Sequence, residues 1–183
     1  MFNNLYPSVT YEILSLIFIN SKNILSLISN YLIQLLLLFL DMTTYLNATQ
    51  ESGKKFYMDF HQQGKVVMLN MLKFREYADY SEFESLKPEH TISGKEAYQL
   101  YIDSTLPHLE KAGSRVLFYG RSDAFLIGPE NESWDAILLV EHESVEKFMA
   151  FAQNEAYLKT AGHRTAALQD SRLLPMSNLN TPV

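Results

Sequence analysis

The sequence predicts an α+β fold, a four-stranded antiparallel sheet with helices on one of its faces. Three observations lead there. Trp134 to Val140 is a run of apolar and β-branched residues that changes period at once, Val145, Phe148, Met149 and Ala152 recurring at helical spacing. Lys65 to Phe74, KVVMLNMLKF, is apolar on both alternating sets of positions, as in a strand covered on both sides. Ser93 to Lys111 carries a helical pattern between the two.

Taken in order, Thr49 to His61 reads as a short helix with an apolar side at Phe56 and Phe60, ended by Gly64. Lys65 to Phe74 is the first strand, with Asn70 its polar exception. Arg75 to Ile92 is polar and irregular, a long loop of the kind that is often functional or mobile. Ser93 and Gly94 open the next helix, whose expected buried stripe is Tyr98, Ile102, Leu106 and Leu109. Pro107 is expected to kink or break it, and Gly113 to stop it.

Ser114 to Tyr119 is the second strand, bent at Gly120 to Asp123 and continued through Ala124 to Ile127. Gly128 to Ser133 is a turn by composition. Trp134 to His142 is the third strand. Ser144 caps a helix to about Gln153. Asn154 caps a further turn through Tyr157 and Lys159, Gly162 breaks it, and His163 to Leu168 is a last helical turn. Ser171 to Leu174 is a short fourth strand stopped by Pro175, with a loose tail from Ser177. The order is β-α-β-β-α-β, the split βαβ or ferredoxin-like arrangement. Its uncovered sheet face is apolar as well, which predicts a homodimer packed sheet to sheet about a two-fold axis.

The expected organisation is a hydrophobic N-terminal extension over 1–41, a helix and linker over 42–64, the α+β domain over 65–176 and a tail over 177–183. The extension is dominated by Leu, Ile, Asn, Ser, Phe and Tyr and has no Gly, Ala or Arg. It reads in three ways: a mis-set start ahead of Met42, a membrane anchor over Ile24 to Leu40, or a packed helix.

Composition narrows the function. The 183 residues carry a net charge of -6 without a basic run, which argues against a nucleic-acid partner. There is no cysteine, so thiolate nucleophiles, disulfides and Cys-ligated metals are excluded, and a cytoplasmic location fits. The five histidines show no metal-ligand spacing, no P-loop, GxGxxG or GxSxG occurs, and neither a metal nor a cofactor is expected.

Four runs resemble a known family in order: VVMLNMLKFRE (Val66 to Glu76), SGKEAYQLY (Ser93 to Tyr101), LIGPENESWDAILLVEHES (Leu126 to Ser144) and HRTAALQDSRLLP (His163 to Pro175). Over about Gly64 to Met176 the chain resembles the domain of unknown function family 1330, within the dimeric α+β barrel superfamily. The resemblance implies a fold and a dimer, with small-molecule pockets between sheet and helices, and no agreed reaction. Haem-degrading relatives combine an Asn on the first strand with a Trp and a His near the second helix. Asn70 and His163 fall at similar places, but Phe151 stands at the Trp position and the one tryptophan, Trp134, opens the third strand, so haem oxygenation is not implied.

Asn70 and His163 are therefore the candidate catalytic residues, Asn70 to orient or stabilise an anion and His163 as acid or base. Tyr98, Tyr101, Trp134 and Arg164 are candidate ligand contacts, with Arg164 suited to a carboxylate. Each also has a structural role to fill. Asn70 can bridge strands, His163 can cap carbonyls, Arg164 can pair with Asp170, and Trp134 can anchor a core or an interface. Of Tyr98 and Tyr101, one turn apart, at most one is expected to point squarely at the sheet. Glu141 and His142 alternate across the sheet and form no dyad. The expected function is a homodimer with a small-molecule pocket, either a metal-free oxygenase, isomerase or lyase, or a binding or structural dimer without turnover.

Overall fold

The structure, a computed structural model, describes residues 24, 26–34 and 44–178. The chain divides into two compact units, Met1–Thr43 and Thr44–Val183. In the first, residues 24 and 26–34 are helical and exposed. Among the described residues no helix is long and apolar enough to cross a membrane. Most of the remaining extension, including part of the stretch from Ile24 to Leu40, lies outside the described residues, as does the tail from residue 179.

The second unit is built on four strands, β1 (Val66–Phe74), β2 (Arg115–Arg121), β3 (Ala136–His142) and β4 (Leu168–Met176), in the order β2-β3-β1-β4. All three pairings are antiparallel. Five helices accompany them: α1 (Gln50–Phe60), α2 (Gly94–Lys111), α3 (Val145–Ala152), α4 (Glu155–Leu158) and α5 (Gly162–Ala167). On β3 the alternation is regular, with Ala136, Leu138, Val140 and His142 buried against the helices and Ile137, Leu139 and Glu141 facing away.

Local chemistry sets the helix starts. Thr49 and Ser52 form a reciprocal capping box on α1, and Ser93 and Glu96 form one on α2. Ser144 and Asn154 cap α3 and α4. Phe56 and Phe60 of α1 pack with Phe148 and Met149 over Val66, Met68 and Val145. At the other end of the sheet, Gly94 is wedged against backbone. A Cβ there would lie 2.7 Å from Arg75 N and closer still to the Arg75 and Ala167 carbonyl oxygens, so only glycine lets α2 start this close to β1 and α5.

Several expectations need correction. Helix α2 is not broken at Pro107 but continues through it to Lys111. Its buried stripe is Ala97, Tyr98, Tyr101, Thr105 and Leu109, so Tyr98 and Tyr101 both point inward, while Leu106 is exposed. Strand β2 does not continue to Ile127. Beyond it there is only an isolated bridge between Ala124 and Ser133, and Leu126 and Ile127 are fully or nearly fully exposed. Strand β3 starts at Ala136 and not at Trp134.

Strand β4 begins earlier than expected and passes through Pro175. It can, because β4 is an edge strand and a missing N–H there costs no ladder bond. The long loop is tied down by backbone bonds from Ala78 to Ile92, from Asp79 to Ala166 and from Arg75 to Ala167. Finally, Arg164 does not pair with Asp170. Arg172 does, at 2.7 Å, being two residues away on the same strand face.

Candidate functional site

A cavity of about 440 Å³ lies between the helix side of the sheet and the helices, within the usual size range of small-molecule sites. Most of its wall is apolar, contributed by Met68, Leu138, Val140, Ile102, Phe148 and Phe151. The polar groups that reach it are few and come from distant parts of the chain.

Arg164, half-buried on α5, donates to the Leu46 carbonyl at 2.8 Å and the Ser171 hydroxyl at 3.1 Å. Among the described residues no carboxylate lies within salt-bridge distance of it. A guanidinium has five N–H donors, so capacity remains. Tyr98 is 1 % exposed and its hydroxyl makes no hydrogen bond among the described residues. The Tyr101 hydroxyl meets that of Tyr157 at 3.2 Å. Burial pushes both Tyr98 and Tyr101 well above the ordinary phenol range, and the nearby Arg164 cation pulls the other way without reversing it. Both stay protonated, so each can donate its O–H to a bound group and can also accept through the phenol oxygen.

Asn70 sits in the middle of the cavity floor. Its amide nitrogen donates to the Met68 carbonyl at 3.3 Å and the Leu138 carbonyl at 3.2 Å, bridging β1 to β3. Two carbonyl neighbours dictate that orientation of the amide, which leaves the oxygen without a hydrogen bond among the described residues. Asn70 thus offers the cavity an acceptor and is poorly made to stabilise an anion.

His142 closes the opposite end. It is 2 % exposed, its Nδ1 lies 2.7 Å from the Ser114 hydroxyl, and burial lowers its pKa to about 4. Thr105, one helical turn from Tyr101, is buried, and its hydroxyl has no partner among the described residues.

The cavity therefore gathers Asn70, Tyr98, Tyr101 and Arg164 from the expected set, and it leaves out two. His163 lies off the wall, its Nδ1 2.8 Å from the Tyr80 hydroxyl, where desolvation lowers its pKa. It fastens the long loop to α5. Trp134 is buried with its indole N–H on Glu132 at 2.9 Å and the Arg172 guanidinium 5.0 Å from its ring, also away from the cavity. His142, Thr105 and Tyr157 escaped the sequence reading. For His142 a signal existed: it shares the alternation of Leu138 and Val140 and so belongs to the buried face. Among the described residues no group of three or more His, Asp and Glu is placed to hold a metal.

Four antiparallel strands in the order β2-β3-β1-β4, backed by helices on one face, make this an α+β protein of the ferredoxin-like class. The model of the domain of unknown function DUF1330 matches residues 88–176, and the chain belongs to that family. The match includes Tyr98, Tyr101, His142 and Arg164 and stops short of Asn70. RPA0582, a protein of unknown function from Rhodopseudomonas palustris, is 30% identical, with 76% of this chain and 100% of that chain covered and a TM-score of 0.66. Its methylated form aligns at 31% identity, 76% and 98% coverage and a TM-score of 0.67. A dimeric protein of unknown function and ferredoxin-like fold from Bacteroides fragilis aligns at 13% identity, 63% and 98% coverage and a TM-score of 0.36. No curated protein matches the sequence.

Proposed function

We propose that the protein is a cytoplasmic homodimer in which each subunit binds one small organic anion, its carboxylate on Arg164 and Tyr98 and its apolar body in the cavity. One observation carries this: a half-buried guanidinium without a carboxylate partner among the described residues, on the wall of a mostly apolar cavity that the Tyr98 hydroxyl, without a hydrogen bond among the described residues, also lines. A desolvated charge is costly unless it is compensated, and two neutral oxygens compensate it only in part. A carboxylate would complete it.

The dimer is supported by the sheet face away from the helices. Leu69, Met71, Ile137 and Leu139 line its middle, and Phe118 and Leu174 at its edges are 53% and 55% exposed. Monomers seldom expose so continuous an apolar surface. The lack of cysteine suits a reducing compartment.

The test is a thermal-shift panel of medium-chain carboxylic acids beside their uncharged amides. Acids should raise the melting temperature, a ligand at 100 times its Kd adding about 2.7 kcal/mol, and the amides should not. Amides that stabilise as well as acids would refute the assignment of Arg164. Metal-free catalysis, as an isomerase, lyase or oxygenase, is the second possibility. It is favoured by the neutral imidazole of His142 on the same wall, a base with an unbonded ring nitrogen among the described residues.

A further inference from the structure

Helix α2 and strand β1 run in opposite directions over the cavity. Gly94 N donates to the Arg75 carbonyl, so α2 starts where β1 ends. Ser114 N donates to the Leu109 carbonyl and the Ser114 hydroxyl meets His142, which pairs with Val66, so α2 ends where β1 begins. Arg164 is bonded to Ser171, which lies opposite Leu72 and hence level with Ala136. Arg164 and His142 therefore mark the two ends of a slot parallel to the strands. From the level of Ala136 to that of His142 is six residues of strand, or ~20 Å. Between them the wall is mostly apolar, from Met68, Leu138, Val140 and Ile102, with the Asn70 amide and the Thr105 hydroxyl among its polar groups.

The His142 end is polar and uncharged. Its imidazole is neutral at pH 7 because burial disfavours the cation. With Nδ1 engaged by Ser114, the remaining ring nitrogen has no hydrogen bond among the described residues. On the helix wall of the slot, Thr105 adds a buried hydroxyl without a partner among the described residues, although a helical threonine can usually bond the carbonyl one turn back. A buried hydroxyl on the helix wall and a ring nitrogen at the far end, both without a hydrogen bond among the described residues, are uncommon in a finished core, and they suit an uncharged polar group of a ligand.

We infer that Thr105 and His142 give the cavity a second, neutral hydrogen-bonding region away from Arg164, and that the ligand is an elongated monoanion with a carboxylate at one end and an uncharged hydrogen-bonding group toward the other. This rests on the placement of the carboxylate at Arg164. The class so defined is the medium-chain hydroxy- or oxo-acids, with a dicarboxylate disfavoured because the far end offers no positive charge.

The test is calorimetric titration of the full chain at pH 7.5 with decanoate, decanamide, 10-hydroxydecanoate and decanedioate. The hydroxy acid should bind about three- to tenfold tighter than decanoate, the range of one net hydrogen bond, and the diacid should bind more weakly than either. In Thr105→Val or in His142→Phe, according to which of the two holds the hydroxyl, the ratio of hydroxy acid to decanoate should fall to about one. Thr105→Val keeps the side chain's shape, so its melting curve guards against misfolding as the cause. A wild-type ratio of one, a ratio that survives both substitutions, or a diacid that binds as well as the hydroxy acid would overturn the inference. If decanoate binds, its amide does not, and the hydroxyl adds nothing, this inference alone falls. If no acid binds, the assignment of Arg164 falls with it.

Discussion

Replacing His142 by phenylalanine should remove a pH dependence from the stability of the fold. In the native state burial holds the imidazole neutral down to about pH 4, while in the unfolded chain it takes up its proton near the ordinary 6.5. Between those values the unfolded state binds more protons than the native state, so stability falls as the pH falls. The contribution is whole above about pH 6.5 and is lost progressively toward pH 4. A drop from 6.5 to about 4 corresponds to about 3 kcal/mol at 1.36 kcal/mol per pH unit, of which about 2 kcal/mol should already be gone at pH 5.

Urea unfolding of wild type and His142→Phe at pH 8, 7, 6 and 5 reads this directly. Phenylalanine fills the space beside Phe148 and Phe151 that the imidazole occupies, but it loses the bond to Ser114, so the variant will start lower at pH 8. What matters is the difference between the two curves, which should shrink by about 2 kcal/mol between pH 8 and pH 5, because other titrating groups are common to both. Parallel curves would refute the assignment, as would a ring titration by NMR with a midpoint above about 5.5.

Four further outcomes follow from the same geometry. Leu138 is buried under the helices and Leu139 faces away, so Leu138→Asp should unfold the subunit, at a cost of several kcal/mol, while Leu139→Asp should leave it folded but monomeric. A wild type that is monomeric by light scattering at micromolar concentration would remove the basis for the second half. Asn70→Leu removes two long hydrogen bonds and should lower stability by no more than about 1 kcal/mol, and a larger loss in urea would mark the amide as a structural clamp. Gly94→Ala puts a methyl group into the Arg75 and Ala167 backbone and should cost about 1–3 kcal/mol or more, which a melting temperature near wild type would contradict. A chain begun at Met42 should melt within a few degrees of the full chain, and its insolubility would show that residues 1–41 are needed for the fold.

The sequence alone determined the architecture. Strand and helix periods are local properties, and a run such as AILLVEH followed by a capped VEKFMAF has one economical solution. The glycine stops at Gly64 and Gly113 were legible for the same reason, both taking positive φ. The errors at β4 and Pro107 came from proline, whose effect depends on whether an N–H was needed at that place, and that is decided by strand order and helix position. The site was legible only in part. Arg164, Asn70 and the two tyrosines could be named as residue types, yet their roles depend on partners far along the chain: Leu46 and Ser171 for Arg164, Ser114 for His142, Tyr80 for His163. Periodicity says which face a side chain takes. Only the packing of α2 and α5 across the sheet decides which polar groups share a desolvated cavity and which are left in it without a partner.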